Sequence, residues 1–504
     1  MPPGAIIKTR LLAASGRPEA QLELADQLSG RNGGIEAVRH IAAAARHGLP
    51  QAQTRLGLCY LHGLGVPPNQ PEARHWLECA ADAGDATALT ELAALALHGI
   101  WGPYQRSLFP APEPAAAATP NFHLAADLLR RAMGSGSAEA QALLAFTLRA
   151  NNSVPQTPGE ADALYRRSAE AGWPLGQLGH AMALLRDAAP ETMREAHELL
   201  QAAADSGLPT AHYLLGAMAE AGVGGEQDPE SAVTHYRMAA EHGDTSAKTR
   251  LGLALLTGRG TLCNLTEAET WLRRAGNDGD VTAAAVLGDF HASPERRPAN
   301  PEESAHWYRR AAELGHPASA RVLAHAISAG AEGKPDPGEI AVWLETAIER
   351  GEDAAWPDLG GLISSASLPP DQLPMLHGWL QRMMRKNRPD AGYYVGVCVN
   401  CGIGTPADET LARRYYLWAA GEGVIEAMVA AGEMLLNGRG GPADPELARD
   451  LFAYAADHDH AGAVFALGVM AAGDADAAMA HFRRAAALGH QKARLLFARE
   501  VEVV

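Results

Sequence analysis

Apolar and small residues recur three and four positions apart along almost the whole chain, in short blocks broken by glycine and proline. That spacing puts them on one face of a helix and predicts an all-α protein. The block Trp307-Tyr308-Arg309-Arg310-Ala311-Ala312-Glu313-Leu314-Gly315-His316 shows the pattern most cleanly. Its aromatic pair and its alanine pair share a face. The alanines admit a close neighbour, and Gly315 ends the helix. A residue just past a helix end often turns left-handed, where glycine meets no steric penalty.

The same ending recurs at Gly48, Gly84, Gly136, Gly172, Gly207, Gly243, Gly279, Gly315, Gly351, Gly423 and Gly489, and in register at Asn387 and Asp459. Asn and Asp tolerate the left-handed conformation best after glycine. Nine of the twelve intervals are 36 residues, and a fixed period of that size marks a solenoid or array. The exceptions are 52 residues (84 to 136), 35 (172 to 207) and 30 (459 to 489).

Each period reads as two helices. The first opens on a small residue with leucine four positions on, as in Ala52…Leu56-Gly57, Ala211…Leu215-Gly216 and Ala283…Leu287-Gly288. A glycine turn follows, such as Gly222-Val223-Gly224 or Gly438-Arg439-Gly440, although residues 176–207 and 355–390 lack it. The second helix starts on Asp228-Pro229, Asn300-Pro301, Asp336-Pro337 or Asp444-Pro445, an N-cap followed by proline at the first helical position. Glu303 and Glu339, three residues past the cap, predict capping boxes. An aromatic anchor comes next: Trp76, Tyr165, Tyr236, Trp271, Trp307, Trp343, Trp379, Tyr415, Phe452 and Phe482. Its expected role is core between stacked pairs.

These residues resemble Sel-one-like repeats, a branch of the tetratricopeptide-type helical repeats with a longer, glycine-containing turn in each pair. The shared pattern is Ala…Leu-Gly…Gly-x-Gly…Asp-Pro…Ala…Trp/Tyr…Ala-Ala…Gly. The resemblance implies a right-handed α-solenoid, a superhelix of about thirteen antiparallel helix pairs with first helices on the concave face. It also implies a scaffold or adaptor that holds a protein or peptide partner. The expected organisation is a half-repeat cap at 1–19, a solenoid over 20–492 and a capping helix at 493–504. An insertion falls at 100–121, inside one pair. There Trp101, Tyr104 and Phe109 lie among five prolines. Insertions in repeat arrays map to surface loops and often to the binding face, so these three aromatics are the candidate partner contacts, against the alternative of packing on their own superhelix.

Composition narrows the function. The formal net charge is −17, which argues against broad phosphate-backbone binding and so against nucleic acid. Only five of the 42 basic residues are lysine, a bias that with abundant Ala, Gly and Pro fits a GC-rich bacterial genome. No apolar run is long enough to span a membrane, and residues 1–10 lack a signal-peptide pattern, so the expected address is the cytoplasm. Five scattered cysteines suit a reducing compartment.

No SxxK, GxSxG, HExxH, GxxxxGK or GxGxxG motif occurs, so the chain is expected to be no enzyme and to carry no cofactor. The Cys398-Val399-Asn400-Cys401 pair lacks the further ligands that zinc needs and reads as packing. Cys59 and Cys79 fall within one pair and are close enough in register to face each other. Asp457-His458-Asp459-His460 reads as a polar turn, and Arg382, Arg385, Lys386 and Arg388 as cations suited to a helix C-terminus. The alternative to a cytoplasmic adaptor is an exported binding module of a bacterial cell-envelope or polysaccharide complex.

Overall fold

The computed structural model describes residues 3–29, 34–98, 120–151, 153–186, 189–294, 299–331, 333–365 and 367–498. Among them 28 α-helices follow one another, with no strand. Thirteen pairs run from Pro18–Ser29 with Gly34–Arg46 to Ala461–Met470 with Ala475–Ala487. Single helices, Pro3–Ala14 and Gln491–Ala498, flank them. A typical helix, Pro301–Glu313, has 13 residues, about 20 Å at 1.5 Å per residue. The chain divides into two compact units, residues 1–271 and 272–504.

The sequence pattern explains how each pair stops. Gly315 has φ 113°, and the corresponding Asn387 and Asp459 have 59° and 58°. Around Gly315 the amide of His316 donates to Ala311 O (2.9 Å) and that of Gly315 to Ala312 O (3.0 Å). This is the Schellman pattern, which satisfies carbonyls the helix end would otherwise leave bare.

In several pairs the small residue after the first-helix leucine receives a ring of its partner helix, as Gly216 receives Tyr236 and Gly432 receives Phe452, whereas Gly57 receives Leu77. A Cβ on Gly288 would lie 2.5 Å from the Tyr308 ring. The Tyr308 hydroxyl then reaches past that glycine to Asp289 (2.6 Å). Trp307, Tyr236, Trp379 and Phe452 are buried as core anchors, whereas Trp76, Trp343, Tyr415 and Phe482 stay half-buried. In the Tyr415-Tyr416 pair it is Tyr416 that enters the core.

The N-caps form as the sequence implies. Asp228 accepts from Ser231 N (3.0 Å), Asn300 from Glu303 N (3.1 Å) and Asp444 from Leu447 N (3.1 Å). The capping boxes do not form. The N–H of Asn300 already donates to His291 O at the end of the preceding helix (2.9 Å), so the Glu303 carboxylate is left for other donors. It accepts from the Trp307 indole (2.9 Å) and pairs with Arg273 (2.7 Å). Glu339 does the same with Trp343 (3.4 Å) and Arg309 (2.7 Å). In the first unit Glu267 joins Trp271 (3.4 Å) to Arg237 (2.5 Å). Arg273 and Arg309 also lie over the faces of Trp307 and Trp343, 5.6 Å from the ring centroids. These Arg–Glu–Trp rungs tie consecutive second helices together.

Candidate functional site: an apolar groove with a cationic end

In the first unit the helices Ala86–Leu97, Ala138–Ala150 and Pro174–Leu184 are first helices of successive pairs. Leu89, Leu92, Leu144 and Leu148 point into the core. Phe146, Leu175 and Met182 do not: they remain 53%, 40% and 50% exposed. With Leu97, Leu143, Leu178, Phe122 and Tyr165 they line an open groove of about 750 Å³. Single exposed apolar residues need no explanation, but a contiguous apolar patch on a soluble surface marks an interaction site.

Two glycines seat the third helix of the groove. A Cβ on Gly179 would lie 2.2 Å from the Tyr165 ring, and one on Gly176 2.3 Å from Ser168 Oγ. The helix Pro174–Leu184 therefore rides directly on the helix Glu160–Glu170. Ser168 Oγ in turn donates to Ala138 O (2.7 Å). Burial pushes the Tyr165 hydroxyl up to about 12, so that side chain stays neutral in the groove.

At one end the groove becomes polar. Arg149, part of its lining, also lines a smaller hollow of about 240 Å³ with Gln156, Asp162 and Arg186. Arg149 Nη1 and Arg186 Nη2 meet the same Asp162 oxygen, at 2.7 and 3.0 Å. Two guanidinium groups sharing one carboxylate leave a local charge of +1 on a strongly acidic chain. Similar groupings occur elsewhere. In the first unit Glu220 lies between Arg259 (3.4 Å) and Arg250 (3.8 Å). In the second, Asp358 holds Arg321 (2.6 Å) and His325 (2.9 Å).

Trp101, Tyr104 and Phe109 lie outside the described residues, so the groove is defined without them. Cys398 is buried and its thiol is pushed up to about 12 by burial. Cys401 is exposed, and all five cysteines are free, Cys59 and Cys79 among them. The histidine-rich turn is used by the backbone. His460 Nδ1 accepts from Ala463 N (3.2 Å), the His458 ring stacks on Tyr454, and Asp459 accepts from Arg484 (3.1 Å). In the basic patch Arg388 pairs with Asp353. Among the described residues no three His, Cys, Asp or Glu side chains gather as metal ligands would, and no helix is long and apolar enough to cross a membrane. The sequence reading missed the groove. Its signal in the sequence is weak: Phe146 stands where other pairs hold Ala217 and Asp289, but also where they hold Leu58 and Leu253.

Successive helix pairs, each closed by a left-handed stop and packed on the next, define an α-helical repeat protein of the solenoid type. The Sel1 repeat model matches residues 50–85, 187–208, 209–244, 245–280, 282–316, 389–424, 425–460 and 463–490, and the chain belongs to that family. It is similar in structure to c5321, a protective antigen present in uropathogenic Escherichia coli strains displaying an SLR fold. That match has 21% identity over 93% of this chain and 97% of the other, with a TM-score of 0.48. It is also similar to a Sel1 repeat protein from Oxalobacter formigenes (21% identity, 70% and 89% covered, TM-score 0.35). A third similar structure is immunity protein Pa5087 from Pseudomonas aeruginosa (20% identity, 56% and 89% covered, TM-score 0.24). No functionally curated protein matches the chain in sequence.

Proposed function

We propose that this chain is a non-enzymatic scaffold or adaptor that grips a protein or peptide partner on its first-helix face, the concave face in the family arrangement. The observation that carries the reading is the open apolar groove around Phe146, Leu175 and Met182. Covering one such side chain fully is worth about 1.5–3 kcal/mol, so three half-covered ones supply a few kcal/mol of anchoring. The generally non-catalytic character of Sel1 repeats supports a binding role. The free cysteines accord with a reducing compartment, and the cytoplasm is the proposed location. Trp101, Tyr104 and Phe109 are proposed as further partner contacts.

The test is capture of partners from lysate of the native cell by wild-type chain and by the double variant Phe146→Glu, Leu175→Glu. Specific partners are expected to be lost while the melting temperature holds, since both side chains are exposed. Undiminished capture by the double variant would rule out the groove.

A further inference from the structure

The apolar groove and the cationic hollow meet at Arg149, which lines both. The geometry points to the chemistry of the partner: a peptide segment whose apolar side chains fill the groove and are followed by an acidic side chain received between Arg149 and Arg186. The inference rests on the groove as binding site and adds what recognises the segment's end.

Three observations carry it. First, Arg149 and Arg186 converge on a single oxygen of Asp162, so one carboxylate answers two cations. Each guanidinium has five N–H donors in a planar fork, many more than one shared oxygen can take. A second carboxylate finds charge-assisted donors there, and Arg presents them in the bidentate geometry that carboxylates fit. Second, the hollow is roughly 240 Å³ and open, enough for a side-chain carboxylate, and Gln156 in its lining donates its amide N–H to Leu148 O (3.0 Å). Third, the net charge of the whole chain is −17. A segment rich in acid is repelled by most of this surface, so a cationic excess at the groove's end fixes where an acid can sit. It fixes the direction of the segment as well. A lysine at that place meets two cations, and rejection of the wrong charge is what makes such an end selective.

The experiment selects a random dodecapeptide library displayed on phage against the full-length chain, with Phe146→Glu as the parallel target. Peptides enriched on wild type and lost on Phe146→Glu are synthesised, and binding is read by fluorescence anisotropy. The expected peptides carry a cluster of apolar residues with Glu or Asp on one side. Replacing that acid by lysine in the peptide is expected to weaken binding by about tenfold or more, a change equal to one decade in Kd. The chain variant Arg186→Glu is expected to reverse the preference. The peptide substitution needs no altered protein, so the result stands even if Arg186→Glu folds poorly. Phe146-dependent peptides with no acid preference would overturn the inference and leave the groove intact. A library that yields no Phe146-dependent peptide would overturn the groove and the inference with it.

Discussion

Glu345 occupies a position that holds arginine in three earlier repeats. Arg237, Arg273 and Arg309 fall at 36-residue intervals, and Glu345 is the next in register. Each arginine meets a glutamate of the next second helix, but at the fourth rung that glutamate is replaced by Met375. Trp379 keeps its place and donates instead to Glu349 (2.8 Å). Glu345 is therefore a carboxyl among packed helices with no rung to complete. Burial, reinforced by Glu349 and only partly offset by Arg382, raises its pKa to about 7. An acid whose folded pKa exceeds its unfolded value of 4.5 contributes stability that is full below about pH 4.5 and lost as pH rises through about 7. At about 1.4 kcal/mol per pH unit, the stability lost by pH 8 is at most about 3.5 kcal/mol. Glu345→Gln keeps the shape and cannot ionise. It is expected to raise the melting temperature at pH 8 and to change it little at pH 5. The double variant Glu345→Arg, Met375→Glu, which builds the missing rung, is expected to be stabilised at pH 8 by an amount that shrinks with added salt. Thermal melts at the two pH values decide the matter. An equal shift for Glu345→Gln at both, or none at pH 8, would refute the argument from burial.

Two further outcomes follow from the geometry. Gly315→Val is expected to destabilise by about 1–2 kcal/mol, the cost of a left-handed β-branched residue, measured by thermal melting, with damage confined to adjoining pairs in hydrogen exchange. His212 and His235 lie with Nδ1 atoms 3.2 Å apart. Burial lowers the pKa of both, with further lowering from His242 on the first and from His212 and His197 on the second, while Asp205 opposes the shift of His212. A base with a depressed folded pKa contributes stability that is present above its unfolded pKa of about 6.5 and lost as pH falls below it. Melting temperature is therefore expected to decline below about pH 6.5, and His235→Gln to flatten that decline.

The fold was legible because one backbone need repeats. Every pair must stop in a left-handed turn, and only glycine, Asn387 and Asp459 meet that need, so the period is written directly in the sequence. The N-caps were legible for the same reason: each is a local contact between a side chain and an amide three residues away. The capping box at Glu303 was misread because the competing acceptor, His291 O, is nine residues from Asn300 and belongs to another helix. The groove was hidden more deeply. Leu144, Phe146 and Leu148 look alike in sequence, yet the two leucines are buried and the phenylalanine is half-exposed. Whether a residue faces core or groove depends on how neighbouring pairs stack. Arg149 and Arg186 are 37 positions apart, and only the stacking of pairs brings both to Asp162.

The Arg–Glu–Trp rungs also bear on how the molecule yields to force. Each rung joins one second helix to the next, with its arginine 30 residues before its glutamate. Within the second unit, tension along the chain therefore meets the Arg273–Glu303 and Arg309–Glu339 rungs in turn and does not load them together. Tension would strip one pair at a time, and each release would free 36 residues, about 120 Å of extended backbone at ~3.4 Å per residue. The stretch held by these rungs lengthens in steps of one repeat and can rewind from whichever end is still folded.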